Sequence, residues 1–126
     1  MTQEEKEELL VDLCARLPYG IKVFYEYVDG LNKKTYGYSL TLNTWCIDEM
    51  KAEKAVVKPY LFPLSSMTEW KERELEILMK NSIESCGMLF PYDCLKMERF
   101  FNENHLDWRG LITKGLAIDA TGLNIY

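Results

Sequence analysis

Hydrophobic positions along this chain change period several times, and each change marks an element. Within residues 3–17, Leu10, Leu13, Cys14 and Leu17 recur at the spacing of one helical face. Thr2 stands where a helix N-cap is wanted. Glu4, Glu5, Glu7 and Glu8 lie near the positive end of the helix dipole, and Pro18 and Gly20 close the segment. From residue 21 the period drops to two. Ile21, Val23, Tyr25 and Tyr27 alternate with Lys22, Phe24, Glu26 and Val28. Beyond a polar turn at 29–34, Tyr36, Tyr38, Leu40 and Leu42 alternate with Gly37, Ser39, Thr41 and Asn43. The pattern predicts an antiparallel hairpin of strands 21–28 and 35–46 with one buried and one wet face.

Residues 48–54 are charged and read as a loop. Residues 55–61 are apolar again and read as a third strand. Pro59 has no N–H to give a ladder, which predicts that this strand lies at a sheet edge or ends there. Ser66 and Glu69 have the spacing of a capping box and predict a helix to about residue 85. Its apolar stripe is Leu75, Leu78, Met79, Ile83 and Cys86, with Gly87 as its stop. Pro91 opens a further helix to about 104, with Leu95, Met97, Phe100 and Phe101 apolar. Two turns, a short strand at 116–118 and a loosely held tail from 119 complete the expectation. The fold class predicted is α+β, in a single domain of residues 1–126. A three-stranded, mostly antiparallel sheet is preceded by one helix and covered on its apolar face by the two C-terminal helices.

Composition narrows the function classes. With 48% hydrophobic and 28% charged residues, the 126-residue chain reads as an ordinary globular domain. The net charge of −5 is spread over both halves, so neither offers the basic face that phosphate neutralisation requires, and direct nucleic-acid binding is not expected. The start of the chain is acidic and polar, without the basic and apolar runs of a secretory leader, and no apolar run has membrane-spanning length. The expected setting is cytoplasmic, away from membranes. Cys14, Cys46, Cys86 and Cys94 form no C-x-x-C pair, and one histidine cannot complete a zinc site. They read as buried, reduced thiols, with no metal and no cofactor.

Candidate chemistry is concentrated between Asn104 and Ile118. His105 and Asp107 are candidates for a general base and its orienting acid, and would need a nearby thiol or tyrosine to form an enzyme or small-ligand site. The plainer expectation is a protonated His105 favouring the negative end of the preceding helix, with Asp107 capping a turn. Trp108 and Arg109 are residue types enriched in binding hot spots and, with Tyr60 on the strand bearing Pro59, are the candidate protein-binding residues. The edge implied by Pro59 also makes a homodimer an alternative. No catalytic signature is spelled out, so the leading expectation is a non-catalytic protein that binds a protein partner.

Four blocks carry a resemblance: 13–20 (LCARLPYG), 57–69 (VKPYLFPLSSMTE), 107–112 (DWRGLI) and 115–118 (GLAI). Together they resemble a family of small uncharacterised bacterial proteins met in prophage-like and other mobile regions of gut anaerobes. Trp108 and Phe62 stand where that family has a tyrosine and a basic residue. The resemblance implies no activity, cofactor or site. It implies a setting, that of an accessory protein of a mobile element.

Overall fold

The structure is a computed structural model that describes residues 1–86 and 91–126. Its elements run α1 (Gln3–Arg16), β1 (Lys22–Val28), β2 (Thr35–Thr41), α2 (Thr44–Lys51), β3 (Ala55–Pro63), α3 (Glu69–Cys86), α4 (Pro91–Glu103), β4 (Leu106–Asp107) and β5 (Ile118–Asp119). The class is α+β, as the patterning predicts. The sheet is mixed and larger than three strands. β1 pairs antiparallel with β2 on one edge and with β3 on the other. The two-residue strands β4 and β5 run parallel to the last residues of β3.

Backbone bonds beyond the strands fix which groups face which neighbour. Leu42 N–H donates to Ile21 O, and Asp29 N–H donates to Lys34 O. Antiparallel ladders alternate bonded and non-bonded pairs, so Val23, Tyr25 and Tyr27 turn their backbone groups toward Leu40, Tyr38 and Tyr36. Two consequences follow. The partner of Val23 on the other side, Pro59, sits at a non-bonded position, where a missing N–H costs the ladder nothing. Pro59 is accordingly buried in an inner strand; the sheet-edge expectation is corrected by this register. On β2, the backbone groups of Thr35, Gly37, Ser39 and Thr41 point away from β1, and among the described residues no strand pairs with them.

The strand expected to reach residue 46 ends at Thr41. The side chain of Asn43 accepts from Cys46 N–H and starts α2 in its place. This helix places Cys46, Ile47 and Met50 on the sheet beside Leu9 and Leu13 of α1, and these five pack with Ile21, Val23, Tyr25, Val57 and Leu61 as the core. Among the described residues the sheet's apolar face is therefore covered by α1 and α2, and none from the two C-terminal helices belongs to this core. Those pack on one another, and every α3 side chain whose burial is described is exposed or half-buried. α3 starts later than Ser66: Thr68 Oγ1 accepts from Lys71 N–H, while Ser66 Oγ donates to Pro63 O in the preceding turn. Gly87, the expected stop, lies outside the described residues.

Residues 119–126 are anchored. The Tyr126 hydroxyl accepts from Lys22 N–H and donates to Tyr60 O, each at 2.8 Å. It fills the place of a direct strand-to-strand bond just beyond the last β1–β3 pair, Val23 with Pro59. The Tyr126 ring also packs near Phe62 and stacks on His105. Burial pushes the phenol's pKa up to about 12.

Candidate functional site

Leu9, Asp12, Leu13 and Arg16 share the inward face of α1, and both charged residues are wholly buried. The Asp12 carboxylate lies between two guanidinium groups. Arg16 Nε donates to Oδ2 at 2.9 Å and Arg109 Nε to Oδ1 at 3.1 Å, while Arg16 Nη2 reaches Leu106 O at 2.7 Å. Burying charge is tolerated only with such pairing. Arg109 lies 4.2 Å from the centre of the Trp108 ring, whose Nε1 donates to Asn102 Oδ1 at 3.1 Å. Trp108 and Arg109 are thus half-buried and tied to α4 and α1. They rivet the 106–112 loop to the helices, which is a different placement from an exposed aromatic–arginine anchor.

The neighbouring pair is separated by its own bonding. Asp107 accepts from Leu111 N–H at 2.8 Å and Ile112 N–H at 2.9 Å, one on each carboxylate oxygen. It shapes the turn, as its capping reading anticipates. His105 ends α4 with φ 56°, its N–H donating to Asn102 O and its carbonyl accepting from Phe62 N–H. Its ring stacks on Tyr126 at 4.0 Å between centroids, and Nδ1 is buried without a partner among the described residues. Burial, reinforced by the Arg16 charge, lowers its pKa to about 4. His105 is therefore neutral at pH 7, and the expectation of a protonated histidine at the helix end is corrected: the position is right, but desolvation and Arg16 remove the charge. The structure brings His105 to a tyrosine and to Arg16, and gives the carboxylate of Asp107 to the backbone instead.

Tyr60, the third candidate surface residue, is buried, with its hydroxyl 2.8 Å from Ser39 Oγ and its carbonyl on Tyr126. Its side chain holds β3 to the hairpin and leaves little surface. Cys46 is buried as expected, whereas Cys14 is exposed, because the inward face of α1 runs through Asp12 and Arg16. Among the described residues no three His, Cys, Asp or Glu side chains gather as a metal site would require, and no helix is long and apolar enough to cross a membrane.

A different surface emerges on the hairpin. Tyr25 packs against Trp45 at 4.9 Å, Tyr38 at 5.4 Å and Tyr27 at 5.7 Å between ring centres, and Tyr27 packs against Tyr36 at 5.8 Å. The inner part of this face is core. Its outer part is uncovered: Tyr36, Tyr38 and Trp45 remain 41–46% exposed. On the opposite face the Phe24 ring lies across Gly37 so closely that a Cβ there would collide with it. β2 itself carries no charge and no proline over Thr35–Thr41, two devices that usually blunt a free edge. The tyrosine alternation was visible in the sequence. What the sequence concealed is that the covering helix stops short of the hairpin's outer half.

No family model matches this chain, and neither a curated protein nor a solved structure does.

Proposed function

We propose that this protein is a non-catalytic binding module that takes an extended segment of a protein partner as an added strand on the outer edge of β2. The observation that carries the reading is that edge: four consecutive outward-facing sets of backbone groups, at Thr35, Gly37, Ser39 and Thr41, on an uncharged strand. Backbone bonding of this kind supplies affinity, and side-chain pockets beside the edge supply choice. Tyr36, Tyr38 and Trp45 provide the second part, favouring apolar residues at alternate positions of the incoming strand. The family resemblance supports the setting of a mobile-element accessory protein. A second copy of the chain is one partner that the edge could take.

The test compares Ser39→Pro with Ser39→Ala. Both remove the hydroxyl that meets Tyr60, but only proline removes an outward N–H, and β1's ladder does not use that group. Tagged wild-type and variant chains are used for affinity capture from a bacterial lysate with nuclease, and the purified chain is sedimented over a range of concentrations. A stoichiometric partner, or a dimer, kept by Ser39→Ala and lost in Ser39→Pro supports strand addition. Equal retention by both, or a monomer that captures nothing, overturns it.

A further inference from the structure

We infer that the crevice at the carboxyl end of β3 is a binding site for a small amphiphilic carboxylate. β4 and β5 both run parallel to β3, and Phe62 N–H donates to His105 O whereas Ala120 N–H donates to Leu61 O. Adjacent residues of an extended strand face opposite edges, so β4 and β5 flank β3 on its two sides. The chain leaves all three strands at the same end. Ligands of open sheets with parallel strands gather where such connections diverge, because nothing in the fold fills the gap. Here the gap is a pocket of about 340 Å³, within the roughly 300–1,000 Å³ of small-molecule sites.

The lining sets the ligand's chemistry. Phe62, Met67 and Leu106 form an apolar wall, from the end of β3, the turn after it and β4. Among the described residues that line the pocket Lys71 is the one that is charged, and Thr68 and Thr121 also line it. The Lys71 ammonium is only loosely held, 3.8 Å from Glu74, with both side chains partly exposed. Glu69, on the same turn of α3, lies 3.7 Å from Arg73 and is absent from the lining. A single cation over an apolar wall matches a monoanion on a short hydrocarbon body. A dianionic phosphate would want the additional donors and charges that arginine clusters provide.

The probes are hexanoate and its neutral amide, hexanamide, titrated into the isotopically labelled full chain and followed by backbone amide resonances. Hexanoate is expected to shift Phe62, Leu106, Thr121 and Gly122 saturably, with hexanamide binding about tenfold more weakly, the equivalent of one charge-assisted hydrogen bond. Lys71→Gln is expected to erase the difference between the probes. Met67→Trp, which fills the pocket, is expected to abolish both. Lys71 and Met67 are partly exposed, and a dispersed spectrum of each variant verifies that it folds. Equal binding of both probes to the wild-type chain, shifts centred elsewhere, or no saturable shift would overturn the assignment. None of these outcomes depends on the β2 edge, so the strand-addition reading stands or falls separately.

Discussion

The two ends of the polar design differ in how they treat unpaired groups. Around Asp12 most buried polar atoms are paired: two guanidiniums on one carboxylate, Asp107 on two backbone N–H groups, Trp108 on Asn102, with Arg16 Nη1 and His105 Nδ1 the exceptions among the described residues. Along the outer half of the hairpin, backbone groups and aromatic rings are left facing solvent. The first arrangement makes position non-negotiable, because an unpaired buried charge is costly. The second leaves satisfaction to water, which a partner can replace at little penalty. Residue types that advertise function in a sequence, Trp108, Arg109 and His105, went to the closed end. The open end is built from tyrosines, threonines, serine and glycine, with Trp45 beside them.

The contrast is broken most severely at Asp12. Asp12→Ala leaves Arg16 buried with one partner fewer and frees Arg109, and is expected to cost about 3–5 kcal/mol of stability by urea denaturation. A loss near zero would mean that the two arginines find other partners and that the closed end is not closed. Next in size is His105. Unfolded, its pKa is 6.5, and folded it is lowered to about 4. Between those values the unfolded chain binds the extra proton, so this contribution is fully present above pH 6.5 and drains away as pH falls toward 4. Because the ring is only half-buried, solvent screening reduces the full value, and the loss is roughly 1–3 kcal/mol. It is read as the pH dependence that disappears in His105→Asn, a substitution suited to the positive φ. Carboxylate titrations common to both chains cancel. Smallest in stability is the open end. Tyr36→Ser with Trp45→Ser is expected to change it by about 1 kcal/mol or less, while lowering capture of the β2 partner at least as much as Ser39→Pro does. A large stability loss with unchanged capture would reassign these rings to the core.

Period-two alternation made β1 and the start of β2 legible, and Thr2 with its glutamates made the start of α1 legible, since local chemistry decides both. α2 was hidden because Leu40 and Leu42 continue the strand pattern toward Trp45 and Cys46, and a helix of eight residues adds only Asn43 as a signal. The register that makes Pro59 harmless is a tertiary fact that no local pattern reports. For the closed site one signal was available: Asp12 and Arg16 fall at helical spacing with Leu9 and Leu13. A charged pair on an apolar face announces a buried ion network. The open site was out of reach, because it depends on where α2 ends relative to the sheet.

The Tyr126 hydroxyl also sets an order of assembly. It closes the gap between Lys22 and Tyr60 from positions 104 and 66 residues away along the chain. Contacts of such separation form late, since the intervening chain must be organised before they repay their entropy. Until then the fork between β1 and β3 stands open, with a free donor and a free acceptor beside apolar side chains. In a chain where Tyr126 has not docked, those two groups are expected to be open to other strands, and slow docking of residues 119–126 is expected to show as concentration-dependent refolding yield.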